Sequence, residues 1–462
     1  MNRLKQLLSR LANVQRQNSG QELPYLLSII ILIFFLAISP IPKDDLLRDL
    51  IAWKYNYDYA QLYINAPLLP PYNQYFLFDK LLGFICKHLG LMYSLRMVQL
   101  SAIIIYLVPI FILVKSQLAH RSDKHIIATL AVAITFCACG NRILIARPEV
   151  FFAAWVVWGI VAHQLNKDIY KGIWYLTGLA LIGMYWLSFI YIPMALWVFN
   201  KTHNKVIALL GLLVATILIW QSISNGAWLH SQILLKETLQ NRLTGLNVGE
   251  NATILLMFLY FPVGICTFFL GKLLYEKLEL VIYQSNHKLN FTLWPIYVVI
   301  AWFLMSNMVR YVDVIFPMEL FLLVYFYKNH LPDCTIQWKR SLVFIISVYS
   351  IAITFLNINT SLPKFNIPAN SKVVSNFTGP NYWIPFTNKE KIFMAPAMDV
   401  GMNDKNIQQI AIDLTTKSSV DCGILKKIKF DYLIEDELKI IPSCLKLDQV
   451  DGKYRLWKID NK

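Results

Sequence analysis

Two neighbouring carboxylates open the stretch of this sequence best equipped for chemistry. Asp44 and Asp45 follow Pro40-Ile41-Pro42-Lys43 and precede Leu46-Leu47-Arg48-Asp49, directly after an apolar segment. A carboxylate held just outside a membrane helix can take the proton of an acceptor hydroxyl, and its neighbour can share that work. Arg142, Arg147 and Glu149 crowd into Asn141–Glu149, between two apolar runs. Arg310 and Tyr311 precede Asp313 and then Glu319, which falls inside a run. Guanidinium groups suit a phosphate, and carboxylates suit a hydroxyl or a cation. Glu319 lies at membrane depth, where a carboxylate is costly and reads as functional by default; its other reading is a hydrogen-bonded packing residue. Local roles also fit several of these groups. Asp44 or Asp45 would cap an interfacial helix. Arg48 would pair with Asp44 at i,i+4, and Arg310 with Asp313 at i,i+3. No Gly-rich phosphate loop, Walker lysine, His-x-x-x-His pair or serine nucleophile elbow occurs.

The elements that must position these groups are set by composition. The chain is 56% hydrophobic and 14% aromatic, and only 15% of its 462 residues are charged; its mean hydropathy is +0.48. A soluble chain carries about a quarter charged residues. Apolar runs near twenty residues recur, enough to cross about 30 Å of hydrocarbon. The reading is an α-helical polytopic membrane protein of about 10–11 membrane segments. Spans are expected near 24–41, 93–114, 125–140, 149–164, 206–223, 252–271, 291–308, 312–327 and 341–357. The segment 172–199 carries Gly178, Gly183 and Pro193 and reads as two half-helices or a re-entrant pair.

Residues 1–23, with Arg3, Lys5, Arg10 and Arg16, form a basic collar without a cleavage site. A cytoplasmic N-terminus places Lys115, Arg121 and Lys124, and also Lys328, Lys339 and Arg340, in short basic inner loops. This works only if 172–199 begins and ends on one side. The long loop 42–92, the 224–251 loop and the tail then face outward, with the tyrosines between 55 and 75 as interfacial anchors or sugar platforms. The tail, 358–462, reads as a small outer α/β domain with β-type runs at Lys391–Met394, Tyr432–Ile434 and Tyr454–Ile459. From Asn359 it holds fifteen Lys or Arg against twelve Asp or Glu, so most of the net charge of +15 belongs to the membrane part. That placement argues against nucleic acid. Cys422 and Cys444, the tail's two cysteines, form a disulfide in an oxidising compartment or stay as two thiols. An outward-facing site has no access to cytoplasmic ATP or nucleotide sugars, so an activated donor must arrive on a lipid.

The order of motifs resembles the GT-C superfamily of polyprenyl-phosphate-dependent glycosyltransferases, which includes protein O-mannosyltransferases and aminoarabinose transferases acting on lipid A. The matching pieces are Asp44-Asp45-Leu46-Leu47-Arg48, Pro70-Pro71-Tyr72-Asn73, Leu89-Gly90, Ser94-Leu95-Arg96, Arg147-Pro148-Glu149, Gly178 to Gly183 with Pro193, and Arg310-Tyr311 with Pro317. Leu69 stands where many relatives carry Lys or His before Pro-Pro; Lys80 or His88 would supply that cation. The resemblance implies an inverting transfer of a sugar from a polyprenyl-phosphate donor to a hydroxyl of a protein or glycolipid acceptor. Asp45 or Asp44 would be the general base. Glu149 would orient the acceptor, or share a divalent cation with Asp45 where one is used. Arg48, Arg147, Arg310, Tyr311, Lys80, His88 and Tyr72 would contact substrate. The implied setting is the inner membrane of a cell envelope, with the tail periplasmic. A transporter or flippase is the alternative class, supported by Asp313 and Glu319 but lacking an internal repeat. A membrane scaffold would leave the elaborate first loop unexplained.

Overall fold

The computed structural model describes residues 46–47, 50, 76–165, 168–180, 213, 216–217, 220, 223–224, 267–273, 276, 312–327, 336–357, 364–368, 371–375, 392–393, 420–435 and 441–460. The expected spans 24–41 and 291–308 lie outside these residues, as do most of 206–223 and 252–271 and the part of 172–199 beyond residue 180. The described chain is mostly helical, with a small sheet near its end. Its helices are α1 (Phe76–Leu89), α2 (Leu91–Gln117), α3 (Lys124–Ile145), α4 (Pro148–Gln164), α5 (Asp168–Ala180), α6 (Val312–Tyr327), α7 (Ile336–Asn357) and α8 (Cys422–Ile428).

Two of them, α2 and α3, are long and apolar enough to cross a membrane. Their 27 and 22 residues extend about 40 and 33 Å at 1.5 Å per residue, against about 30 Å of hydrocarbon. Helices α4 and α6 are apolar but shorter. The elements sort into two compact units. One holds Leu107–Asn141 and the described residues of Ala252–Asn357; the other holds those of Pro40–Tyr106, Arg142–Asn251 and Ile358–Lys462.

In the first unit α3 and α7 are tied at two levels. Lys339 forms an ion pair with Asp123, in the turn before α3. Ser350 Oγ donates to the Ala133 carbonyl at 2.7 Å. Going along the chain from Asp123 to Ala133 covers nearly the same number of residues as from Lys339 to Ser350. The two helices therefore meet in the same order and run parallel.

In the second unit Gly90 joins α1 to α2. Its φ of +76° is left-handed, a conformation that costs other residues about 1–2 kcal/mol. The same residue closes α1, donating to the Cys86 carbonyl at 2.9 Å, and opens α2, accepting from the Ser94 amide at 3.0 Å. Gln99 Nε2 of α2 donates to the Leu144 carbonyl at 2.7 Å, and Trp158 Nε1 of α4 to the Ile105 carbonyl at 2.9 Å.

Helices α4 and α5 are held by a reciprocal clasp. The indoles of Trp155 and Trp174 stack with centroids 4.6 Å apart and planes 9° from parallel. Each indole N–H donates to the other residue's carbonyl at 2.8 Å. Each ring also lies against a glycine one turn along the opposite helix, Trp174 on Gly159 and Trp155 on Gly178, where a Cβ would overlap the ring. The motif Trp-x-x-x-Gly thus occurs once per helix, and α4 and α5 are antiparallel. Gly178 does not interrupt the segment as expected; it sits inside α5 and makes room for an indole. Gly178→Leu is expected to destabilise the protein by about 1–3 kcal/mol through overpacking, whereas Thr177→Leu on the exposed side shifts it by less than about 0.5 kcal/mol. Thermal unfolding of both variants in detergent measures this, and equal midpoints would contradict the clasp.

The C-terminal elements form a five-stranded sheet from β1 (Val373–Ser375), β2 (Ile392–Phe393), β3 (Tyr432–Glu435), β4 (Leu445–Asp451) and β5 (Tyr454–Ile459), in the order β2-β1-β3-β5-β4. β1 is parallel to β2 and β3, while β5 is antiparallel to β3 and β4. Parallel neighbours require a crossover, and the chain between β1 and β3 contains α8. Asp421 caps α8, its Oδ1 accepting from the Gly423 amide at 2.7 Å. Cys422 at the head of α8 is joined by a disulfide to Cys444 before β4, with Cα atoms 6.0 Å apart. Leu425, Phe430, Leu433, Leu445 and Trp457 pack around the bridge in one apolar cluster.

Candidate functional site

The chemistry-bearing residues that the structure brings together lie at the junction of α3 and α4. The expected loop Asn141–Glu149 is mostly helical. Arg142 belongs to the last turn of α3 and Glu149 to the first turn of α4. Only Ala146 and Arg147 link the helices. The reversal is made by Ala146, buried and left-handed at φ +52°, whose amide donates to the Ile143 carbonyl at 3.1 Å. Pro148 then starts α4, where its missing N–H costs nothing and its fixed φ suits a helix. A proline there also bars Arg147 from helical geometry, which ends α3.

Charges at this junction follow the helix dipoles. Arg142 sits at the negative end of α3 and Glu149 at the positive end of α4. Glu149 is buried, 5% exposed, and Arg142 and Arg147 are half-buried. The turn is fixed from α2: Gln99 holds the Leu144 carbonyl, and Arg96 Nη1 donates to Gln99 Oε1 at 3.0 Å. From α1, Phe78 meets Phe151 with ring centroids 5.8 Å apart, so α1 and α4 begin side by side. Asp79, next to Phe78, is fully buried. Asp79 was not among the residues expected here, although its spacing to Leu82 and Cys86, i+3 and i+7, already puts it on the buried stripe of α1.

The remaining candidates are dispersed. Lys80 and His88 lie on exposed positions of α1, and the His88 ring meets Phe84 edge-on at 4.7 Å. Glu319 is buried in α6, where Thr267 Oγ1 is 2.9 Å from both its carboxylate oxygens. Pro317 lies between it and the buried Asp313. Asp44, Asp45, Arg48, Tyr72, Arg310 and Tyr311 lie outside the described residues. Among the described residues no group of three or more His, Cys, Asp or Glu side chains suits a metal ion.

Among the described residues, two groups outside the membrane-capable helices depart from their ordinary titration range. The Arg121 guanidinium, with help from Lys339, holds the Asp123 carboxyl well below the usual range. Burial, reinforced by Asp448 and Asp431, pushes the Tyr432 phenol up. The junction thus offers a buried carboxylate within one short turn of two guanidinium-bearing residues, suited to holding a hydroxyl next to a phosphate. No known protein family matches the sequence, and no curated protein matches it.

Proposed function

We propose that this chain is a multi-pass membrane glycosyltransferase. It moves a sugar from a polyprenyl-phosphate carrier to a hydroxyl of a protein or glycolipid on the outer face of the membrane. The observation that carries this reading is Glu149, buried at the head of an apolar helix, with Arg147 in the link before it and Arg142 in the last turn of α3. In the reaction the acceptor oxygen bonds to the anomeric carbon as the bond from that carbon to the phosphate oxygen breaks. The electron pair leaves on the lipid phosphate, and the hydroxyl proton passes to Asp45 or Asp44. Displacement from the opposite side inverts the anomeric centre. Arg147 and Arg142 would stabilise the departing phosphate and Glu149 would orient the acceptor. Arg48, Arg310, Tyr311 and Tyr72 remain candidate donor contacts.

The parallel run of α3 and α7 supports the membrane topology that goes with this reading. Two spans that point the same way must be separated by an odd number of crossings. That parity holds when α4 and the four expected spans 206–223, 252–271, 291–308 and 312–327 cross and 172–199 returns to its own side. Residues 358–462 then follow α7 into the outer compartment, where a disulfide between Cys422 and Cys444 persists.

Mass spectrometry of surface proteins and lipids from cells with and without the chain tests the activity. A sugar adduct that depends on the chain is the expected result. Glu149→Gln is expected to slow its formation about a hundredfold, the scale of a misplaced reactant, with membrane insertion unchanged. An undiminished rate would remove Glu149 from the site. A transporter is the second reading, favoured by the buried Thr267–Glu319 pair in a proline-containing helix. Substrate uptake into vesicles without any adduct would select it.

A further inference from the structure

Helix α1 is too short to span a membrane and too apolar outside for water. Its 14 residues extend about 21 Å. Phe78, Asp79, Leu82 and Cys86 are buried and mark the side facing protein. On the remaining surface Leu81 is 49% and Phe84 64% exposed, with Lys80, Lys87 and His88 exposed around them. A large apolar side chain left in water forgoes the favourable free energy of its burial.

Two observations identify what covers this face. First, α1 passes through the single residue Gly90 into α2, a membrane-capable helix whose exposed Met92, Tyr93 and Met97 continue the apolar surface. Second, the charges are sorted by sign. The one acid of α1, Asp79, is buried, so every charged or titratable side chain on the exposed surface is basic. An amphipathic helix with aromatic and aliphatic groups among lysines matches the boundary between acyl chains and anionic headgroups.

We propose that α1 lies flat in the membrane interface, with Leu81 and Phe84 below the headgroups and Lys80, Lys87 and His88 against the phosphates of anionic phospholipids. This does not rest on the glycosyltransferase reading. It assigns Lys80 and His88 to bulk lipid instead of to the donor phosphate. The full chain in nanodiscs of phosphatidylcholine, or of an equal mixture with phosphatidylglycerol, tests it by hydrogen–deuterium exchange of the 76–90 amides. Exchange is expected to slow at least about fivefold in the anionic discs, the strength of one lysine at such a surface. The difference should shrink as salt is added and disappear in the variant Lys80→Gln/Lys87→Gln/His88→Gln. Phe84→Ser should speed exchange in both lipids, while the amides of α2 report that each variant is folded. Equal exchange in the two discs, or a difference retained by the triple variant, would overturn the proposal. So would protection that follows added polyprenyl phosphate and ignores phosphatidylglycerol.

Discussion

Conversion of both Asp44 and Asp45 to asparagine is expected to lower sugar transfer by about 10²–10⁴-fold, the contribution of a general base, with expression and membrane insertion retained. Asparagine matches aspartate in shape and is as good a helix cap. If the pair only capped the helical positions that follow, the change would cost a few tenths of a kcal/mol and leave transfer intact. Leu46, Leu47 and Leu50 are helical and buried immediately after the pair. Leu50 is tied to α1, its carbonyl accepting from Cys86 Sγ at 3.8 Å. This contact anchors the chain just after the two aspartates within the unit that contains Glu149. Transfer assayed in isolated membranes at matched protein levels decides between base and cap; an unchanged rate in the double variant would assign the pair to capping.

How much of this could be read from residues alone varies by element for physical reasons. The apolar runs behind α2, α3, α4 and α6 are long and continuous, and the expected 149–164 and 312–327 fall within one residue of α4 and α6. Helix α7 starts at Ile336, ahead of the expected 341, because its first turn is the polar Gln337-Trp338-Lys339-Arg340. Hydropathy treats those charges as loop, whereas Lys339 is drawn into the helix by Asp123. Glycine weakens helices in isolation, which makes Gly178 look like a break, but the Trp155 indole packed on it reverses that preference. The reversal at Ala146 has no signal at its own position; the cue is Pro148, which ends α3 by constraining Arg147.

The sheet shows the same division. The runs Lys391–Met394, Tyr432–Ile434 and Tyr454–Ile459 contain or overlap β2, β3 and β5. Neither β1 nor β4 shows such a run: β1 is only three residues long, and β4 is an edge strand, Leu-Lys-Leu-Asp-Gln-Val-Asp, with a register shift between Leu447 and Gln449 that breaks the period-two alternation. At the candidate site, Glu149 and both arginines were legible from residue type and crowding. Asp79 was not, because an acid beside Lys80 looks solvated until its spacing to Leu82 and Cys86 is followed around the helix.

The largest effect on stability is expected at Asp123. Its carboxylate is 4% exposed and accepts from Arg121 Nε at 2.9 Å and Nη2 at 3.0 Å while pairing with Lys339. Asp123→Asn would take from Arg121 and Lys339, 14% and 13% exposed, the carboxylate that they share. Removing one member of such a group costs about 3–5 kcal/mol, a large part of the 5–15 kcal/mol of a typical fold. Adding Lys339→Met should recover part of the loss, because one stranded charge goes with it. The pH dependence carries a definite sign. The folded carboxyl titrates below its unfolded value of about 3.9, so its contribution is complete above that value. It fades as pH falls through about 3.9 toward the lower folded pKa. Thermal unfolding in detergent should therefore drop as pH falls below about 4 more steeply in the wild type than in Asp123→Asn, with no difference in slope above that value. Parallel curves would mean that the cluster contributes no net stability. A separate consequence concerns geometry, since Lys339 is the charged tie between the head of α7 and the turn before α3. Its loss should also raise amide exchange at Ile126 and Ile127, whose amides donate to the Asp123 carbonyl at 3.0 and 3.1 Å.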